Sequence, residues 1–187
     1  MASIISHAVA AASLSSAAPI PRRCLRKAVV AGCVCSILPD ADVIAFMFDV
    51  PYGDVFGHRG ISHSLAFALV LGYAVTALFF RQFPPNSKEF WGLTGYFFVA
   101  TASHGLLDAM TNGGLGVAFF APFENSRYFF PFRPIQVSPI GISRFFSEWG
   151  VRVLISEFFW VILPAIGFST VSLMSKFMIR RRCSNDL

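Results

Sequence analysis

The stretch AVVAGCVCSILPDADVIAFMFDV, residues 28–50, decides the fold class because it is almost continuously apolar and long enough to cross a bilayer. The hydrocarbon core of a membrane is about 30 Å thick and a helical residue advances about 1.5 Å, so roughly 20 apolar residues span it. Pro39, Asp40 and Asp42 interrupt this run near its carboxyl end. Because a charged group at membrane depth is costly unless it is paired, the interruption predicts a functional site.

The rest of the chain has the same apolar character. Its 187 residues are 55% hydrophobic and 13% charged, and the mean hydropathy of +0.63 excludes an ordinary water-soluble domain. Further helices are predicted at a weak segment rich in Ala and Ser and at three strongly apolar ones: Ala2–Ile20, His63–Phe80, Phe90–Asn112 and Val153–Lys176. We therefore predict that residues 1–187 form one all-α domain, a polytopic membrane bundle of about five helices.

Local signals suggest where these helices begin and end. Ser62 is a plausible N-cap of the third helix, and Gly113 with Gly114 suits the carboxyl end of the fourth. Pro164 predicts a kink in the fifth helix. The long connection Gly113–Arg152, which contains several prolines, is expected to lie on the membrane surface or dip into it.

The distribution of the basic residues along the chain indicates membrane topology rather than nucleic-acid binding. The net charge is +5, but the basic side chains form short clusters between apolar runs. If all five segments cross, residues 21–27, residues 81–89 and the tail from Lys176 share one side, which the positive-inside rule makes cytoplasmic.

The histidines and the carboxylates that lie in apolar segments are then predicted to converge on the opposite, non-cytoplasmic side. Neutral imidazoles and carboxylates are ligands of zinc, manganese and iron, so the set predicts a site for one or two divalent ions. The candidate metal ligands are His7, Asp40, Asp42, His58, His63, His104 and Asp108. Such an ion lowers the pKa of bound water from about 15.7 toward 7, which favours hydrolysis.

Two charged residues near this set are predicted to be catalytic. Arg59 offers forked donors to an anionic substrate, next to the start of a helix. Glu157 lies in the outer half of the fifth helix and either joins the site or pairs with a histidine or Arg152 to hold helices together.

Each ligand candidate also has a structural interpretation. Residues 58–63 could form a hydrated interfacial loop. Asp40 and Asp42 could be helix-breaking turn residues just outside the core, with Asp40 capping a following helix. His104 and Asp108, four residues apart on one helical face, could form a hydrogen bond across the bundle. His7 could serve packing in a helix of small residues.

Three motifs carry a resemblance to a known family. The segments LPDAD (Leu38–Asp42), FGHRGISHS (Phe56–Ser64) and SHGLLD (Ser103–Asp108) resemble the bacterial inner-membrane-bound, predicted metal-dependent hydrolases. The H-R-G-x-[ST]-H-S block is the most specific element. The resemblance extends from an amino-terminal His like His7 to FRPI and SEFFW, residues 132–135 and 156–160.

The resemblance implies a metal-dependent hydrolase in the bacterial inner membrane, with the seven candidate ligands at matching positions. It does not imply a substrate. The histidine and aspartate pattern is also remotely similar to that of zinc-dependent phospholipase C, an all-helical fold. Val43 is a departure, because some members carry a histidine there.

We expect a membrane-bound hydrolase that uses a divalent metal ion, zinc first and manganese or iron as alternatives. Its expected partners are the lipid bilayer and an ester or phosphoester substrate, with lipid as one option, and no nucleic acid. The alternatives are a divalent-cation transporter and a non-catalytic membrane protein that a metal ion stabilises.

Overall fold

The computed structural model describes residues 1–139 and 145–185, and these form a helical membrane bundle. Within those two ranges there is no β-strand, only two isolated bridges. A 3-10 helix, Leu38–Phe48, continues the α-helix Leu25–Ile37, and a π-helical turn, Phe158–Ile162, joins the α-helices Glu148–Glu157 and Leu163–Asn185. The α-helices are α1 (Ile4–Leu14), α2 (Leu25–Ile37), α3 (Leu65–Phe79), α4 (Lys88–Ala109), α5 (Glu148–Glu157) and α6 (Leu163–Asn185). The predicted all-α fold is confirmed.

Several predicted boundaries are wrong. The first helix ends at Leu14, not Ile20. Ser64, not Ser62, caps α3, because the Ser64 hydroxyl accepts a hydrogen bond from the third amide of that helix while Ser62 turns toward Asp42. Helix α4 ends at Ala109, so the glycine pair that was expected to cap it lies in the following loop.

A π-helical turn, Phe158–Ile162, lies shortly before Pro164, and the kink predicted at this proline stays a prediction. Proline has no amide hydrogen, so the carbonyl four residues earlier loses its usual helical donor, and a wider turn accommodates this loss. Of the long connection Gly113–Arg152, residues 140–144 lie outside the described residues.

Two helical stretches are long and apolar enough to cross a membrane, Arg22–Phe48 with 27 residues and Glu148–Ile179 with 32 residues. Helices α1 and α3 are apolar but have only 11 and 15 residues. Length and composition therefore support two of the five predicted crossings directly.

The bundle places large apolar side chains outside and many polar ones inside. Val171, Leu173 and Phe177 of α6, for example, are each more than half exposed, whereas histidines and carboxylates are buried. Small residues let the helices approach closely, as expected in a membrane. At Gly72 in α3 an added Cβ would lie 2.9 Å from backbone atoms of α4.

The two ends of the bundle differ in chemistry. At one end the Lys27 ammonium donates to the carbonyl of Phe79, and that of Lys176 donates to the carbonyl of Ala18 at 3.1 Å. Arg23 also lies over the ring of Phe83, 4.6 Å from its centroid. Residues 21–27 therefore contact residues 81–89, and Lys176 of the tail reaches Ala18, near the start of the first basic loop, at the same end of the bundle. The histidines lie at the opposite end.

Candidate metal centre

Four buried side chains from three separate segments form one compact group, called here the inner cluster. Asp40 comes from the 3-10 helix after α2, and His63 from the turn Ile61–His63 that precedes α3. His104 and Asp108 project from successive turns of α4. One ligand atom from each of the four lies within 4.8 Å of all the others.

The spacing of these atoms suits a metal ion. His104 Nε2 lies 3.0 Å from His63 Nε2 and 3.3 Å from Asp40 Oδ1. His63 Nε2 lies 3.7 Å from a carboxylate oxygen of both Asp40 and Asp108. Ligand atoms about 2.1 Å from a tetrahedral ion lie about 3.4 Å from one another, so the observed range brackets that value.

The two imidazoles are oriented from behind. The Nδ1–H of His104 donates to the carbonyl of Ser36 at 2.6 Å. Nδ1 of His63 lies 3.1 Å from a carboxylate oxygen of Asp42. Because each imidazole uses its Nδ1 in this way, both Nε2 atoms are left to face the cluster, which is the arrangement that second-layer groups impose on metal-binding histidines.

Several buried atoms around the cluster have no hydrogen-bond partner. They include both carboxylate oxygens of Asp40 and both ring nitrogens of His7. His7 stacks on His104 with ring centroids 3.7 Å apart, and its Nε2 is 3.6 Å from Asp108. Buried polar groups are nearly always paired, so this concentration of unpaired acceptors fits a cation.

Charge leads to the same fit. Three carboxylates and the single guanidinium of Arg59 carry a net formal charge of −2 when the histidines are neutral, which a divalent ion would balance.

Behind the inner cluster lies a second group, called here the outer layer, of Asp42, His58 and Ser62. Asp42 accepts hydrogen bonds from Nδ1 of His58 at 2.6 Å, the Ser62 hydroxyl at 2.6 Å and the backbone amide of Arg59 at 3.1 Å. One ligand atom from each of Asp42, His58 and His63 also lies within 4.8 Å of the other two. Asp42 and His58 are already hydrogen-bonded to each other, and their predicted roles as metal ligands stay predictions.

Two of the structural interpretations, the hydrated loop and the helix cap, disagree with the structure. His58 and His63 are buried, so they do not form a hydrated loop. Asp40 accepts no hydrogen bond from a helix start, so it is not a cap. All seven candidate ligands nevertheless meet at one end of the bundle, as predicted.

The two predicted catalytic residues have other contacts. Arg59 is fully buried; its Nε lies 2.9 Å from Asp108 Oδ2, while Nη1 and Nη2 donate to Gly113 O and the Thr111 hydroxyl. Its predicted role as an anion clamp stays a prediction, and in this structure the guanidinium holds Asp108.

Glu157 accepts hydrogen bonds from the backbone amide and the hydroxyl of Ser3. It pairs with neither a histidine nor Arg152 among the described residues, so that alternative is wrong. The neighbouring amide of Ala2 donates to Asp108 at 2.7 Å. Glu157 thus anchors the segment that contacts an inner-cluster carboxylate.

The sequence interpretation missed Arg127. Its guanidinium donates to the carbonyls of His58 and Tyr52 at 2.9 Å each and to that of Asp54 at 3.0 Å. Three bonds to one loop fix the backbone from which His58 projects. Arg127 directly precedes Tyr128, which forms an isolated bridge with Val117, and a loop without periodicity gives no sequence signal for this arginine.

Comparison with known proteins identifies the family. The family model described as YdjM inner membrane protein matches residues 1–181. The chain belongs to the YdjM family. It is 42% identical to the inner membrane protein YbcI of Escherichia coli (strain K12) over 136 residues, which is 73% of this chain and 77% of that relative. No solved structure matches it.

Family membership and the two long apolar helical stretches support a location in the bacterial inner membrane. The predicted bacterial inner-membrane family is therefore confirmed. The metal-dependent hydrolase activity that the resemblance implied stays a prediction.

Proposed function

We propose that this YdjM-family protein is a membrane-bound, metal-dependent hydrolase acting on an ester or phosphoester. The observation that carries the proposal is the pair of buried imidazoles whose Nε2 atoms face each other at 3.0 Å beside unpaired carboxylate oxygens. Groups of this kind are stable in a buried site when they share a cation. The proposed cofactor is a divalent ion, zinc first, because two imidazoles and two carboxylates suit it.

Each residue has a defined part in this proposal. The inner cluster holds the ion, while Asp42 and the carbonyl of Ser36 keep the two histidines oriented. A bound ion would supply a hydroxide nucleophile at neutral pH and polarise the substrate. Arg59 keeps Asp108 directed at the cluster through its Nε, 2.9 Å away.

We place the substrate at the non-cytoplasmic face of the membrane. The basic loops meet at the opposite end of the bundle, and the positive-inside rule puts such loops in the cytoplasm. A site within a membrane bundle favours substrates that partition into the bilayer. Lipid esters and phosphoesters are therefore the first substrates to test.

The test uses the full chain purified in detergent without added metal. We expect about one equivalent of a divalent metal per chain, and metal-dependent release of fatty acid or phosphate from lipid substrates. His63→Ala should lose both the metal and the hydrolysis. Wild-type protein that contains metal but cleaves no ester or phosphoester with zinc, manganese or iron would contradict the enzymatic proposal.

A structural metal is the second candidate, and the depth of burial favours it. His63, His104 and Asp108 are 3% exposed or less, and structural zinc sites are closed by four protein ligands. In that case, metal removal would unfold the chain and no substrate would be cleaved. Vesicle uptake of the same ion would distinguish the third option, cation transport.

A further inference from the structure

A surface groove on the side of the bundle shares one lining residue with the inner cluster. It lies where α2 passes into the 3-10 helix, opposite the start of α1, and has a volume of about 340 Å³. Its lining is apolar except for one carboxylate: Ile4, Val34, Ile37, Leu38, Asp40 and Ala41.

Asp40 connects the groove to the proposed ion. It is the one inner-cluster residue in the lining and is 7% exposed, while both of its carboxylate oxygens are buried and have no hydrogen-bond partner. His104 and Asp108 are fully buried. Asp40 is therefore the inner-cluster residue that borders the groove.

The walls of the groove belong to surfaces that face lipid. Val34 and Leu38 are 56% and 41% exposed and lie within the helical stretch Arg22–Phe48, which is apolar enough to cross a membrane. Ile4 of α1 forms the facing wall and is 57% exposed. The groove is thus continuous with the surface that acyl chains cover, and no cationic side chain lines it.

We infer that this groove binds one acyl chain of a membrane lipid and brings the polar linkage next to that chain to Asp40. The assignment of this lipid as a substrate rests on the proposed function, whereas binding of the lipid in the groove does not. A fully polar substrate would find no partner on the groove walls, whereas an acyl chain can pack against their apolar side chains. The substrate class is therefore an amphiphile with a chain adjacent to its scissile ester or phosphoester.

The test fills the groove from either wall. Val34→Trp blocks it from α2 and Ile4→Trp from α1, while Val30→Trp is the matched control. Val30 lies one helical turn before Val34 on the same helix and is 65% exposed, but it does not line the groove. Normal metal content in each purified variant shows that the cluster is assembled.

The probe is diether phosphatidylglycerol, whose ether-linked chains resist ester hydrolysis. Native mass spectrometry after detergent exchange should show about one retained lipid on wild type and on Val30→Trp, and at least about tenfold less on both groove variants. Equal retention by Val34→Trp and Ile4→Trp, or none by wild type, would overturn the inference.

Hydrolysis is measured separately, so that the two proposals fail in different ways. Where the enzyme is active, the groove variants should lower the ratio of kcat/KM for a long-chain ester to that for a short water-soluble ester by about tenfold. Lipid retention that depends on the groove, in a protein that hydrolyses nothing, would support the lipid site and remove the hydrolase. Hydrolysis with groove-independent retention would do the reverse.

Discussion

The inner cluster and the outer layer are built from the same residue types but differ in how their polar atoms are satisfied. In the outer layer, one carboxylate of Asp42 accepts bonds from an imidazole, a hydroxyl and an amide. In the inner cluster, both oxygens of Asp40 accept none, and two imidazole nitrogens face each other. The polar atoms of Asp42 are satisfied by hydrogen bonds, whereas the inner cluster keeps buried polar atoms that a cation would satisfy.

This difference indicates a division of labour. The hydrogen-bonded layer fixes the positions of the ligands before any ion binds, so that binding an ion costs little reorganisation. Substitutions in the inner cluster should therefore abolish metal binding. Substitutions in the outer layer, and in the residues that support it, should lower metal affinity by smaller factors.

The largest effect is expected at His104. His104→Ala removes the ligand atom closest to both His63 and Asp40, and we expect metal affinity to fall by more than about 100-fold, beyond the range for supporting residues. Metal content after dialysis measures this loss. Ser103→Ala is the control, because that hydroxyl bonds only within its own helix; an H104A protein that keeps wild-type affinity would break the comparison.

Asp42→Asn should have the next largest effect. The amide retains the shape but cannot accept from all three donors as a carboxylate does, so His63 loses its fixed orientation. We expect metal affinity to fall by about 10-fold to 100-fold while the chain remains folded. Asp49→Asn is the control, an exposed aspartate with a positive φ of 56° that asparagine tolerates. Complete metal loss in D42N would instead make Asp42 a ligand.

How far the sequence alone predicts this site depends on the kind of segment. His104 and Asp108 share a regular helix, so their spacing predicts a shared face, and the alternation of apolar runs predicts that both His63 and Asp40 lie at the same end. The all-α class follows from composition. These inferences use only periodicity and length.

The remaining details depend on contacts between distant segments. Ser62 and Ser64 are equally good helix caps by sequence, and the hydrogen bond from Ser62 to Asp42 settles which one caps α3. Arg127 reaches a loop about 70 residues away through backbone carbonyls. Such bonds leave no pattern in the sequence, because any residue provides a carbonyl.

Arg127→Lys should lower metal affinity less than the substitution of Asp42 in the outer layer. Lysine keeps the charge but cannot reproduce the forked geometry that bonds to three carbonyls at once. Because the guanidinium acts through the backbone of His58, we expect metal affinity to fall by about 3-fold to 10-fold. Replacing zinc with cobalt and recording the visible spectrum tests whether the ligand geometry loosens; Arg133→Lys is the control, since its guanidinium packs on Phe129 away from the cluster.

An R127K protein with an unchanged cobalt spectrum and unchanged affinity would show that the outer layer holds its shape without this loop anchor. The comparison would then be confined to the residues around Asp42.

The smallest effect on metal is expected at Glu157. Glu157→Gln places an amide group against the two donors of Ser3, and one of these loses its acceptor. An unsatisfied buried donor costs about 1–3 kcal/mol, so thermal stability should fall, while metal affinity should change by less than about threefold because Arg59 still holds Asp108. Glu148→Gln, at an exposed site on the same helix, is the control. If E157Q instead lost metal as completely as H104A, Glu157 would act with the inner cluster. The residues required for metal binding would then include one from α5.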